Sequence, residues 1–264
     1  MINDKVFLGY PIKFKDVCQV YPPTVNDVVG NDDFNTYQAL FTMTQEELND
    51  AYNEQVKNQG FQVPQAPIEG QPIQQEQPPI PTPFQYLLMN YHQDEEMRRK
   101  IEDGFKLLLH EPVTIVPEIE MLLIGKSEDE LDPDKDLENP RLLTNDNFFD
   151  FQNVIRSVLG EKTIEPIDPN EDPRVQRIKA KGRRRDRIAA KKQRGPTFGT
   201  LLAAICCMGI GLSPLNIGEV SYASVQWLVG IYQQKEEYSL DIRSLLAGAD
   251  SKKVKPKYWI KNLD

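Results

Sequence analysis

Positive charge in this chain is concentrated in one short segment, residues 174–194, which we call the basic block. It holds eleven of the 31 lysines and arginines and a single acid, Asp186, whereas the rest of the chain carries 20 basic and 39 acidic residues. Burying eleven cations without partners is prohibitively costly, and like charges repel one another. The basic block is therefore excluded from any hydrophobic core. Its alanines and long basic side chains favour helix, so we expect a solvated helix here.

The basic block is also the candidate binding site. Its cations can neutralise nucleic-acid phosphates and release counterions, although the block has no aromatic residue to stack on bases. The same charges can dock on an acidic protein partner or pair with acids of this chain, and these alternatives stay open. The predicted partner-binding residues are Arg174, Arg177, Lys179, Lys181, Arg183, Arg184, Arg185, Arg187, Lys191, Lys192 and Arg194.

A second biased segment, residues 59–83, divides the chain. Seven of its 25 residues are proline and seven are glutamine. Proline removes amide donors and favours extended backbone, so we expect a linker here. A polyproline ligand is the alternative, but the basic residue that often flanks such ligands is missing beside residues 78–81.

The apolar periodicity on either side of these segments predicts an α+β fold that is mostly helical. Residues 6–8 and 12–14 are predicted to pair with 17–21 in an N-terminal β-hairpin, and short helices follow. The later predictions are helices near 84–91, 97–109, 119–124 and 145–159, a strand at 113–116, a buried helix at 201–210, and two helices after Ser221. The predicted organisation is an N-terminal unit 1–58, the linker 59–83, a helical unit 84–163, an acidic-to-basic connector 164–196 and a C-terminal helical unit 197–264 with a basic tail.

Residues with catalytic or metal-binding chemistry are few. The two histidines, His92 and His110, lack the spacing of a metal motif, and Cys206 and Cys207 are adjacent inside an apolar run. No nucleophile has a base beside it in the sequence, so we expect a protein that is not an enzyme and that uses no metal or cofactor.

The sequence predicts a cytoplasmic protein with no membrane partner. Three cysteines without regular spacing argue against a disulfide framework, and the N-terminal sequence lacks the pattern of a signal peptide. The longest apolar run, residues 201–212, is about half the length that a bilayer requires.

Four segments resemble small proteins of tailed bacteriophages and of prophages of Gram-positive bacteria, in particular the tail assembly chaperones. The similar segments are LGYPIKFKDVCQVYPPTVNDVV, NDNFFDFQNVIRSVLGEK, PNEDPRVQRIKAKGRRRDRIAAK and AAICCMGIGLSPLNIGEVSYASVQWLV. The resemblance covers most of the chain. The linker 59–83 and the basic block depart from the simplest pattern of that family.

This resemblance implies a non-enzymatic protein of the bacterial host cytoplasm that chaperones the tape measure protein or the tail-tube protein. The partner would bind in apolar grooves between the helices of 84–159 and 197–246. One alternative is a structural virion component, such as a head–tail connector or a neck protein. Another is a phage protein that binds nucleic acid through the basic block.

Overall fold

A computed structural model describes residues 4–58, 80–116, 120–130, 132, 141–165, 171–192 and 197–258. Most of the predicted linker, residues 59–79, lies outside this part of the chain. Within it the fold is α+β and mostly helical, which confirms the predicted fold class. The helices are α1 (Asp4–Phe7), α2 (Val25–Val29), α3 (Phe34–Thr42), α4 (Gln45–Asn58), α5 (Pro83–Gln93), α6 (Glu95–Leu109), α7 (Asn145–Val158), α8 (Pro173–Lys192), α9 (Phe198–Cys207) and α10 (Tyr222–Leu246). The strands are β1 (Ile12–Phe14), β2 (Cys18–Val20), β3 (Val113–Val116), β4 (Met121–Ile124) and β5 (Leu142–Leu143).

The predicted N-terminal hairpin is present, but its strands are shorter than the apolar pattern of the sequence predicted. β1 and β2 pair antiparallel, with Phe14 opposite Cys18. The prediction of a strand at residues 6–8 was wrong, because Val6 and Phe7 belong to α1. The Val6 carbonyl accepts hydrogen bonds from the Gly9 N–H and the Ser221 hydroxyl, and the Phe7 carbonyl accepts one from the Ser224 hydroxyl, so neither bonds to a strand in these contacts.

A three-stranded antiparallel sheet has the order β3–β4–β5. Val113 lies opposite Ile124, and Leu122 lies opposite Leu143. The prediction of a helix at 119–124 was therefore wrong for the residues of β4. A short apolar run fits either structure, and pairing with the β-branched strand β3 decided between them.

The main hydrophobic core draws on both the 4–58 and the 84–163 segments. At its centre the rings of Phe41 and Phe105 lie 4.5 Å apart, and Phe151 lies 5.5 Å from Phe14 of the hairpin. Gly104 lets α6 approach α3 closely, because its missing Cβ would come within 2.8 Å of the Phe41 ring. The N-terminal unit and the helical unit thus share one core.

The C-terminal helices differ from their prediction in two ways. α9 is helical, but of its ten residues only Ile205 is buried, so the expectation of a buried helix was wrong. The two helices predicted after Ser221 form one helix of 25 residues, α10. Residues 233–239 contain no glycine or proline, and their glutamine, lysine and glutamate side chains sustain a helix.

The start of α10 is attached to the N-terminal segment. The Ser221 hydroxyl caps the helix and donates to the Val6 carbonyl oxygen over 3.1 Å, and the Ser224 hydroxyl donates to the Phe7 carbonyl oxygen over 2.6 Å. The backbone N–H of Tyr222 donates to the Pro23 carbonyl over 2.8 Å. These contacts set the direction in which α10 leaves the core.

The three cysteines should differ in reactivity according to their burial. Burial raises the pKa of the Cys18 thiol to about 12, whereas Cys207 is exposed. Because the thiolate is the nucleophile, iodoacetamide at about pH 8 is expected to modify Cys207 quickly and Cys18 only after denaturation. Mass spectrometry of peptides from a labelling time course measures this. Equal labelling rates for the two residues in the folded protein would contradict the burial of Cys18 at the start of β2.

Candidate partner-binding surfaces

The basic block forms α8, as the helix propensities of its residues predicted. The Asp172 side chain accepts a hydrogen bond from the Arg174 backbone N–H (2.7 Å) at the start of the helix. None of the described α8 side chains is buried. The helix therefore lies on the surface of the molecule, outside both hydrophobic clusters.

One side of α8, which we call the paired face, is held by acids of the same chain. The Arg183 guanidinium donates to both carboxylate oxygens of Glu46 on α4, with its Nε 2.9 and 3.2 Å from them. The Lys179 ammonium lies 2.5 Å from the Glu171 carboxylate. These hydrogen bonds raise the pKa of both cations. Part of the basic block is therefore paired internally, which was one of the three alternatives.

The opposite side of α8, which we call the cationic face, is open to solvent. It consists of Arg174, Ile178, Lys181 and Arg185, spaced four, three and four residues apart, which places them on one side of a helix. The three charged groups make no ion pair with any residue that the structure describes. Ile178 lies between them with 71 % of its surface exposed.

The remaining predicted site residues are only partly covered by the structure. The backbone of α8 includes Arg177, Arg184, Arg187, Lys191 and Lys192, but their side chains lie outside the described part. Arg194 lies outside the described residues altogether.

A second candidate surface lies on the distal half of α10, where the Tyr238 ring packs edge-on against Tyr258 of the C-terminal tail, with ring centroids 5.7 Å apart. None of the side chains between residues 226 and 246 is buried, although this part of the helix is rich in apolar residues. Leu240 is 57 % exposed and Leu246 is 83 % exposed. Ile242, Leu245 and Leu246 share one side of the helix, with Ile242 and Leu245 half-buried, and Leu240 lies on another side. We call these four residues the α10 apolar surface.

The helices α9 and α10 bury few residues against each other in the described part of the chain. Their cluster of buried residues is limited to Val25, Ile205, Ile217 and Val225, with partly buried neighbours packed against them. A helix of 25 residues is about 38 Å long. The distal half of α10 therefore extends beyond the two buried clusters, and Tyr258 packs against it at Tyr238.

A third surface is an open groove beside α5. The groove has a volume of about 760 Å³, and the side chains of Tyr86, Met89, His92 and Glu120 contribute to its lining. It belongs to the 84–159 segment in which the sequence predicted a binding groove.

Groups that support catalysis or metal binding are not brought together in the described part of the chain. No cluster of three or more histidine, cysteine, aspartate or glutamate side chains is placed to hold a metal ion there. His110 stacks on Tyr21, with ring centroids 4.1 Å apart, at the end of α6. This position gives the ring a packing role.

Comparison of the chain with protein-family models, with curated proteins and with solved structures gives no match. Among the described helices, none combines the length and the apolar character needed to cross a membrane.

Sequence reasoning found α8 but missed its division into two faces. The distance along the chain between Arg183 and its partner Glu46 is 137 residues, and no local pattern connects them. The helical period does place Lys179 with Arg183 and, separately, Arg174 with Ile178, Lys181 and Arg185. Only the fold shows which of these two sides of α8 faces the rest of the protein and which faces solvent.

Proposed function

We propose that this protein is a non-enzymatic tail assembly factor of a tailed phage or prophage, which chaperones the tape measure protein or the tail-tube protein. The observation that carries the proposal is the α10 apolar surface. Its four residues belong to a well-formed helix, yet none of them is buried in the described part of the chain. Apolar helical residues left in solvent are typical of a surface that covers a partner.

The physical requirement of such a chaperone fits this arrangement. A tape measure protein is long and helical, and its apolar stripe is prone to aggregation, so a partner must cover the stripe reversibly. A helix that is fixed at one end and has no buried side chain along its described distal half offers apolar side chains without having to unfold. The resemblance of residues 203–229 to the chaperones supports the same proposal.

Co-expression tests this proposal directly. The chain is expressed with the tape measure protein, and separately with the tail-tube protein, encoded in the same tail gene block. We expect one of them to become more soluble and to co-purify. The double variant Leu240→Ser/Leu246→Ser should reduce the recovered partner by about fivefold or more, since each exposed leucine contributes its apolar area to the interface.

A matched control removes exposed apolar residues elsewhere. Leu8 and Val29 are also well exposed but belong to the N-terminal segment, so Leu8→Ser/Val29→Ser should leave the recovery unchanged. Mass spectrometry of purified virions distinguishes the alternative role, because a structural virion component is present in stoichiometric amounts. Recovery of neither partner with a well-folded protein would overturn the proposal.

A further inference from the structure

The cationic face of α8 combines features that point to one class of partner. Arg174, Lys181 and Arg185 surround an exposed isoleucine, while Lys179 and Arg183 on the other side of the helix are already paired with Glu171 and Glu46. An apolar centre within a charged rim is the usual anatomy of a protein–protein contact. We propose that this face docks an acidic helical segment of a partner protein, with an apolar side chain of the partner placed on Ile178.

Charge complementarity selects an acidic partner. The three cations span about 16 Å along the helix axis, a length that three turns of a partner helix match. Carboxylates spaced three or four residues apart on that helix lie on one side and can meet the cations in register. Such charges mainly raise the association rate and the specificity of the contact.

Ile178 distinguishes this partner from a nucleic acid. A phosphate backbone offers nothing apolar to cover an isoleucine, and burying the side chain against phosphates removes water without an apolar contact in return. Bases would need aromatic side chains to stack on, and the basic block contains none. In a protein segment with one leucine among its acids, the carboxylates can pair with the three cations and the leucine can cover Ile178.

The paired face explains why only one side of α8 takes part. Arg183 and Lys179 already donate to Glu46 and Glu171, so a partner would have to displace these carboxylates to use them. Of these two ion pairs, the one between Arg183 and Glu46 joins α8 to α4 and turns the paired face towards the rest of the protein. The cationic face is thereby directed outward. This inference rests on α8 alone and does not depend on the tail assembly proposal.

The test uses the full chain and two fluorescein-labelled peptides. The first is an acidic helical peptide of about 18 residues with a leucine at its centre, and the second carries serine in place of that leucine. A DNA duplex of about 20 base pairs serves as the competing polyanion. Fluorescence anisotropy at about 50 and 200 mM salt measures each affinity.

Two variants with equal charge loss give the decisive comparison. Lys181→Gln/Arg185→Gln removes a lysine and an arginine from the cationic face, and Lys179→Gln/Arg183→Gln removes the same pair of residue types from the paired face. We expect the first to weaken binding of the leucine peptide by about fivefold or more, and the second by less than about twofold. Ile178→Ser should weaken the leucine peptide and leave the serine peptide unchanged.

Several results would overturn the proposal. Equal losses in the two double variants would show that net charge alone attracts the peptide. Tighter binding of DNA than of peptide, together with no effect of Ile178→Ser, would identify a general polyanion surface. Absence of binding to the leucine peptide at the lower salt concentration, with circular dichroism showing an intact fold, would show that the face is not a docking surface for acidic helices.

Discussion

Replacing Phe151 with alanine should lower the free energy of unfolding by about 3–5 kcal/mol, because the change leaves a cavity at the centre of the main core. The Phe151 side chain is completely buried and lies 5.5 Å from the Phe14 ring and 6.4 Å from the Phe105 ring. It therefore joins α7 to the hairpin and to α6. Denaturant unfolding followed by circular dichroism measures the change as a shift of the midpoint.

Phe149 provides a matched control on the same helix. It lies two residues away, but 37 % of its surface is exposed. Phe149→Ala should therefore cost less than about 1 kcal/mol, since little apolar area leaves the core and no closed cavity forms. Equal losses for the two variants would show that the face of α7 that packs on the core has been assigned incorrectly.

Gly104→Ala is expected to destabilise the protein by about 1–3 kcal/mol, although alanine is the better helix former. The new methyl group would lie 2.8 Å from Phe41 Cε2 and 2.9 Å from Tyr37 Cγ. Both rings are buried, so they have little room to move away. Thermal unfolding monitored by circular dichroism measures the effect as a lower Tm.

Gly230→Ala in α10 should stabilise the protein, the opposite of the effect at Gly104. A Cβ at Gly230 meets no other atom within 4 Å, so the substitution adds helix propensity without a clash. The expected gain is up to about 1 kcal/mol. A destabilising effect at Gly230 would indicate that another element packs on this side of α10, and a neutral effect at Gly104 would contradict the close approach of α3 and α6.

The helices with strong capping signals were predicted well from the sequence. Thr44 and Glu47 form the capping box that their spacing suggested, and Thr144 caps α7 with Asn147. Such signals involve residues three positions apart and depend little on the rest of the fold. Local chemistry was sufficient to place these helix starts.

Elements that depend on distant partners were predicted poorly. The run at Met121–Ile124 is apolar on both sides, and its pairing with β3 and β5 made it a strand. The apolar run at residues 6–8 predicted a strand, but the Val6 carbonyl accepts hydrogen bonds from the Gly9 N–H and from the Ser221 hydroxyl, more than two hundred residues away. The apolar periodicity of a short segment does not show which distant residues its backbone will pair with.

The surfaces were predicted in part. Helix propensity predicted α8, and charge density predicted that it lies outside the core, which holds for its described side chains. The exposure of α9 and of the distal half of α10 was not predicted, since apolar residues at helical spacing normally indicate burial. Apolar helices that remain open are the places where the sequence pattern and the packing of this chain disagree.

The attachment of α10 to the N-terminal segment also has a consequence for the order of folding. The Val6 carbonyl leaves the ribosome early and can accept from the nearby Gly9 N–H, but its second donor, the Ser221 hydroxyl, is synthesised 215 residues later. The backbone contact between Tyr222 and Pro23 is formed equally late. Contacts between residues so far apart in sequence form slowly. During synthesis, α1 must therefore remain without these partners while the central core forms, and the direction of the distal half of α10 becomes fixed only when residues 221–224 have reached the N-terminal segment.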